Sequence, residues 1–509
     1  MSYLDVARSL VAGDFRETVN GYWSPLYSWL LAIGLLITGA SPSEHFAVAH
    51  GVNFAIFVGT FIAFEFLLRE CFAFTDNKEN FPLRWFVAAA YVTFAAATLA
   101  WIRVHNVTPD LAVAAWVILA GGLTLRVVRS GGSKRSAIAL GVVLGLAYLT
   151  KAALLPLSAA FVAPAVLFAN KRIRTLALIA VPLLCVAAPY IFALSLRKGR
   201  PTAGDVAKLN YAWYVGEVRV FKHWRGEERA TGVPAHPTRK LVDRPATYEF
   251  REPVQGTYPV WYDPSFWHEG LEVKPHWHNQ WKRLARETWQ VGWMFGRMIW
   301  AFAGIAIMLA LHTLRIDRKR ALVACAPLIA AIVMYSLVHV ERRFLAGFLI
   351  VSVTGVLASI RVMTLPTTRV LQGLMILLIL ALLYDVADEG VDVVERLESA
   401  PAGNHYAHTA NALRATGVDR GETIALIGDG FRAYWAYVGG YHIGAEVSPR
   451  EFWSVPRNLR QASVAAMFSN GISAVIADRK AGCPEEEGWR RVPHTTLCHL
   501  AGDKQAGPR

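Results

Sequence analysis

Asp110, Lys151, Glu341, Arg342 and Arg343 stand at the rims of long apolar runs. Charge so close to hydrocarbon is costly without a partner or a use. A carboxylate placed there can take a proton from an attacking hydroxyl. Lysine or arginine can hold a phosphate, arginine through two parallel hydrogen bonds. Four regions carry such groups: 3–8 with Tyr3, Asp5 and Arg8, followed by Asp14 and the aromatic stretch 21–27; 103–110, ending in Thr108-Pro109-Asp110; 149–151, with Thr150-Lys151; and 338–344, with His339, Glu341, Arg342 and Arg343. Each also has a plainer reading. Asp110 follows Pro109 at a helix start, where a carboxylate stabilises the helix dipole. Lys151 can snorkel to the interface, and Glu341 can pair with Arg342.

The elements that must position these residues are apolar. The chain is 54% hydrophobic and 18% charged, with a mean hydropathy of +0.33; ordinary soluble domains are about 25% charged. This excludes collagen, coiled coil, a disordered tail and a small disulfide scaffold. Apolar spans are expected at 44–68, 85–102, 111–128, 136–150, 152–169, 175–195, 291–313, 321–338, 344–360 and 370–384, with 136–150 the weakest. Most approach the ~17–25 residues of a spanning helix once their flanks are included.

The formal net charge of +14 follows the same pattern. One set of connections carries Arg69, Lys78, Arg84, Arg126, Arg129, Lys134, Arg135, Lys171, Arg172, Arg174, Arg315, Arg318, Lys319, Arg320, Arg361 and Arg369. The alternate short connections carry only Arg103, Lys151, Arg342 and Arg343. By the positive-inside rule the first set is cytoplasmic. The basic charge is therefore topological, and no nucleic-acid partner is expected.

The expected fold is an all-α polytopic membrane protein of about ten spanning helices, with a small extracytoplasmic α/β domain at the C-terminus. Its parts are an extracytoplasmic amphipathic segment (1–43), a first half of the bundle (44–195), an extracytoplasmic loop (196–290), a second half (291–384) and the α/β domain (385–509). In that last part, 423–428 and 474–478 read as buried strands, and 405–416 and 457–470 as amphipathic helices. Gly428-Asp429-Gly430 is too short for a dinucleotide fingerprint and reads as a structural turn. Cys483 and Cys498 lie in an oxidising compartment and are expected to form a disulfide, two free thiols being the alternative. The loop 196–290 is rich in tryptophan, tyrosine and histidine, which stack on sugars and also anchor at interfaces. His268, His276 and His278 lack the spacing of a zinc module, so packing is the preferred reading.

Order, side and spacing together resemble the GT-C superfamily of membrane glycosyltransferases, especially the bacterial branch similar to protein O-mannosyltransferases and aminoarabinose transferases. The resemblance covers about residues 1–384. It rests on 3–7 with Trp23-Ser24-Pro25-Leu26-Tyr27, on Thr108-Pro109-Asp110, on Thr150-Lys151 and on 339–344. It implies a multi-pass protein of the bacterial inner membrane. Such a protein takes a sugar from a polyprenyl-phosphate donor on the outer face and passes it to an extracytoplasmic acceptor hydroxyl of a glycan, lipid or protein. Asp110 would be catalytic. Tyr3, Lys151, His339, Glu341, Arg342 and Arg343 would bind substrate, with Asp110, Lys151 and Arg342 converging on one cavity. A divalent metal is the only cofactor suggested, with His339 as a candidate ligand. The family's principal catalytic Asp stands four residues before the Tyr of its first motif, which places it just before Met1. An upstream spanning helix is therefore expected, and Asp5 is the substitute carboxylate within the chain. A transporter or flippase of a lipid-linked intermediate and a non-catalytic scaffold are the alternatives. A transporter would keep charge near the midplane and often shows repeats, whereas here charge gathers at one face and no internal repeat is evident.

Overall fold

The computed structural model describes residues 1–73, 83–218, 223–226, 231–250, 256–362, 365–399, 404–479, 483 and 488–502; Lys78 lies outside them. The chain opens with two helices, α1 (Ser2–Val11) and α2 (Pro25–Thr38). The bundle follows: α3 (His45–Phe72), α4 (Leu83–Ile102), α5 (Asp110–Arg129), α6 (Lys134–Thr150), α7 (Leu154–Leu167), α8 (Arg172–Lys198), α9 (Val206–Tyr214, outside the bundle), α10 (Trp277–Ala310), α11 (Arg318–Ser336), α12 (Arg342–Ser359) and α13 (Leu365–Ser399). Eight of these helices are long and apolar enough to cross a membrane, which makes the chain a multi-pass membrane protein. The expected spans 136–150 and 152–169 become α6, of 17 residues, and α7, a shorter apolar helix. At ~1.5 Å per residue both fall short of a ~30 Å hydrocarbon core. They follow one another between the long helices α5 and α8. Gly141 lets α6 lie directly on α8: a Cβ there would strike the Ile179 carbonyl.

The two ends of the bundle differ. At one end the buried Glu70 receives Arg126 at 2.6 and 2.8 Å and Arg129 at 2.8 Å, and Asp317 lies 3.2 Å from Arg320 and 3.9 Å from Arg361. These are connections of the basic set. At the opposite end lie Asp110, Lys151 and the turn before α12. α2 lies at this second end at both its termini. The Ser24 hydroxyl before it accepts from the Ala152 amide at 2.9 Å, Gly34 packs on Val48 and Val52, and Ile33, Leu36 and Ile37 are left exposed.

The soluble part is built around a seven-stranded sheet. Its strands are β1 (Arg239–Val242), β2 (Thr247–Glu249), β5 (Thr423–Ile427), β6 (His442–Val447), β7 (Ala474–Asp478), β8 (Arg490–Arg491) and β9 (Leu497–Ala501). A separate ladder at the basic end joins β3 (Leu314–Ile316) to β4 (Ile360–Val362). The sheet order is β1-β2-β6-β5-β7-β9-β8. β5 pairs in parallel with β6 and β7, the arrangement of an α/β domain, and the outer pairings are antiparallel. Two strands of this sheet come from the loop 196–290, so loop and tail form one layer. The tail does not begin at 385 either, because α13 runs on to Ser399. Cys483 and Cys498 are joined by a disulfide. In the turn after β5, Asp429 accepts from the Phe431 amide at 3.1 Å and Gly430 lies against the Tyr258 ring, which is structural work.

Candidate functional site

Asp110 is the first residue of α5. A π-helical turn, Ala96–Ile102, closes α4, and Arg103 then takes a left-handed backbone (φ 64°) that turns the chain toward α5. The Asp110 side chain ends up nearly enclosed, with the residue 2% exposed. Lys151 leaves α6 in an extended conformation. Its Nζ lies 2.9 Å from Asp110 Oδ1 and 3.7 Å from the centre of the Phe344 ring. Arg343, in the first turn of α12, reaches Asp110 Oδ2 from the other side at 3.3 Å. One carboxylate thus holds two cations that come from different helices.

Arg343 is fixed in turn. Its Nε and Nη2 donate to the two oxygens of Glu341 at 2.7 and 3.1 Å, the bidentate geometry that suits guanidinium. His339 Nε2 lies 3.2 Å from Glu341 Oε1. Burial raises the Glu341 carboxyl, but the bonds from His339 and Arg343 outweigh it and hold the group at about 2. The His339 ring stacks on Tyr214 from the external loop, with centroids 4.6 Å apart, and its Nδ1 meets Arg283 at 3.0 Å. Glu287, fully buried in α10, accepts the Val340 amide at 2.8 Å and pairs with Arg283 at 2.8 Å. Arg283 also donates to the Val338 carbonyl at 2.6 Å. Arg283, Glu287 and Tyr214 therefore hold the turn that presents Arg343. Tyr214 is one of the loop aromatics expected from the sequence, but Arg283 and Glu287 were missed, although their i,i+4 spacing just before an apolar run was an available signal.

An aromatic group closes the same end. Tyr3 meets Trp23 and Tyr27 edge-on at 5.0 and 5.2 Å. Trp23 meets Trp261 at 5.1 Å, and Tyr22 meets Trp213 at 5.5 Å. Burial, reinforced by Asp110, pushes the Tyr3 phenol well above its ordinary range. Burial does the same to Tyr22. Both phenols stay neutral; that of Tyr22 donates to Asn210 Oδ1 at 3.1 Å, and that of Tyr3 can donate a hydrogen bond.

Two expected site residues stand apart from this cluster. Asp5 accepts Arg8 at 2.9 Å and the Thr257 hydroxyl and amide at 3.0 and 3.2 Å. It fastens α1 to the external loop, and its oxygens are committed there. The expected convergence of Asp110, Lys151 and Arg342 is corrected to Asp110, Lys151 and Arg343. Consecutive helical residues point about 100° apart, so only one of the two arginines can face Asp110. Arg342 instead lies near Trp101 at 5.7 Å and Trp293 at 5.0 Å. Glu341 pairs with Arg343 rather than with Arg342.

The metal reading does not fit these residues. Asp110, Glu341 and Glu287 are each occupied by Lys or Arg. Among the described residues no group of three or more His, Cys, Asp or Glu could hold an ion. His268, from the loop, is buried between Trp213 and Trp224; burial lowers its imidazole to about 4, so it stays neutral.

No protein-family model matches the sequence, and no curated protein does. Among solved structures, the chain is similar to ArnT from Cupriavidus metallidurans in the apo state, at 14% identity and a TM-score of 0.50, over 100% of this chain and 94% of that one. ArnT from the same organism bound to undecaprenyl phosphate gives 13% identity and a TM-score of 0.49 over the same shares. The Archaeoglobus fulgidus oligosaccharyltransferase in the apo form gives 13% and 0.42, over 94% of this chain and 65% of that one. At such identities the likeness concerns the fold. The chain shares the overall fold of ArnT.

Proposed function

We propose that this protein is a glycosyltransferase of the bacterial inner membrane. It would move a sugar from a polyprenyl-phosphate donor to an acceptor hydroxyl on the extracytoplasmic face. The observation that carries this reading is the carboxylate of Asp110 between Lys151 and Arg343, at the end of the bundle away from the basic connections. The shared fold with ArnT supports it, as does the binding of undecaprenyl phosphate by that protein.

The chemistry follows from the charges. The acceptor oxygen attacks the anomeric carbon, a new glycosidic bond forms, and the bond from that carbon to the phosphate oxygen breaks. The phosphate keeps the electron pair and gains negative charge. Lys151 and Arg343 sit where preformed cations can stabilise that charge in a partly dry setting. As they turn to the phosphate, Asp110 is released to take the acceptor proton. Glu341 and His339 hold Arg343 in register, and the phenol of Tyr3 can donate to the sugar.

The test is transfer from a radiolabelled polyprenyl-phosphate sugar by the full chain in membranes. Asp110→Asn should lower the rate by ~10²–10⁴-fold. Arg343→Ala should cost at least ~10-fold in kcat/KM, since it removes a contact to the phosphate in ground and transition state alike. Arg342→Ala should leave turnover close to wild type. Equal turnover by wild type and Asp110→Asn would refute the catalytic assignment. Normal folding without turnover in any form would favour a scaffold.

A further inference from the structure

A second site lies in the soluble domain. Between the start of the helix His405–Ala415 and the turn leading into β9 there is a cavity of about 650 Å³, within the ~300–1,000 Å³ typical of small-molecule sites. Its lining includes one carboxylate, Asp478, which accepts from the Thr496 hydroxyl at 2.8 Å, and three kinds of group that suit a ligand. Tyr406 and Trp435 supply aromatic surface. Arg432 and Arg491 supply positive charge, and both are solvent-exposed. Among the described residues the one ion pair of Arg432 is with Asp429, at 3.4 Å in an exposed pair, the kind that contributes little. Arg491 makes no ion pair among the described residues; its Nε donates to the Thr495 carbonyl at 3.3 Å.

The third group is a hydroxyl without a partner. Thr409 is 3% exposed and lines the cavity, and among the described residues its Oγ1 finds no hydrogen bond. Buried hydroxyls are normally satisfied, and an orphan is unfavourable for the fold. His494, on the rim, is held in a left-handed backbone (φ 58°), and such strain in a non-glycine residue gathers at ligand sites. The cavity also borders the bundle. Tyr406 meets Phe46, at the start of α3, at 6.0 Å, and Asn404 donates to the Ser43 carbonyl at 2.6 Å.

We infer that this cavity binds an acidic saccharide, a sugar ring carrying a carboxylate or a phosphate. Trp435 and Tyr406 would take the face of the ring, the two arginines the anionic group, and Thr409 a ring hydroxyl. The inference does not depend on the transferase reading.

Calorimetric titration of the detergent-solubilised full chain tests it, with glucuronate, glucose 6-phosphate, glucose and inorganic phosphate as probes. The acidic sugars should bind at least ten-fold more tightly than glucose or phosphate. The double variant Arg432→Ala/Arg491→Ala should lose ten-fold or more of that affinity. Thr409→Val should lose several-fold while its unfolding midpoint stays or rises, because valine removes an unsatisfied hydroxyl. A purely structural hydroxyl would lower the midpoint and spare the affinity, which would overturn the role given to Thr409. Acidic sugars binding no better than glucose, or unaffected by loss of both arginines, would overturn the site. Phosphate binding as tightly as glucose 6-phosphate would overturn the saccharide assignment.

Discussion

Replacing Asp110 by Asn removes the charge that keeps Lys151 and Arg343 together. At 2.9 and 3.3 Å each contact corresponds to about 5–6 kcal/mol of Coulomb attraction at an effective dielectric of ~20. Desolvation of the enclosed carboxylate takes back most of this. Both cations keep some contact with water, at 22% and 31% side-chain exposure, which screens them further. A net coupling of about 2 kcal/mol between Asp110 and Lys151 is therefore expected. It can be read from a cycle of Asp110→Asn, Lys151→Met and the double variant, because methionine keeps most of the lysine stem. Asp110→Asn alone should cost about 2–3 kcal/mol, since it leaves two like charges facing each other. Adding Lys151→Met to it should cost almost nothing or restore stability, whereas Lys151→Met in the wild type should cost about 1–2 kcal/mol. The readout is the unfolding midpoint in detergent at one fixed scan rate. In a chain of this length 1 kcal/mol corresponds to only about 1–2 °C, so replicate precision must be better than that. Shifts that add to within about 0.5 kcal/mol would show that the two groups are not coupled and would remove the basis for the site.

Glu341 gives a pH dependence of definite sign. Its carboxyl is held at about 2, below the ordinary value of 4.5. Its contribution to stability is therefore complete above about pH 4.5 and lost as pH falls toward 2. Unfolding midpoints of wild type and Glu341→Gln should converge over that interval; parallel curves would contradict the pairing with His339 and Arg343. The bridge between Cys483 and Cys498, 15 residues apart, should appear in non-reducing peptide maps. Its removal by Cys483→Ser/Cys498→Ser should lower the stability of the soluble domain by up to ~3 kcal/mol. A map with both thiols free would refute it.

What the sequence disclosed was whatever is written in local runs. The long apolar blocks and the separation of Arg126, Arg129 and Arg318 from Lys151 and Arg343 are compositional, so they were legible. So were the strands Thr423–Ile427 and Ala474–Asp478, which are short apolar runs bounded by turns. The choice between Arg342 and Arg343 was not legible, because it depends on the rotational phase of α12. That phase is set by Glu287 holding Val340, 53 residues away. The fate of Asp5 depends on Thr257, 252 residues away, and no local pattern reports such a pairing. β1 and β2 escaped for the same reason. They are short, and β2 is completed by β6, with Tyr248 opposite Glu446.

This last pairing sets an order of assembly. β2 is made before four spans of the bundle, and its partner β6 after them. A ribosome feeding the membrane must therefore release α10 to α13 before the sheet can close. Until then β2 has no β6 to pair with, a high-contact-order closure that is slow by nature. The tail cannot be cut out as a free domain without cost. Expressed alone from about residue 404, it would present β6 as a bare edge with unpaired backbone donors and acceptors, a template for aggregation. A soluble version of this domain would need residues 239–249 grafted back along that edge.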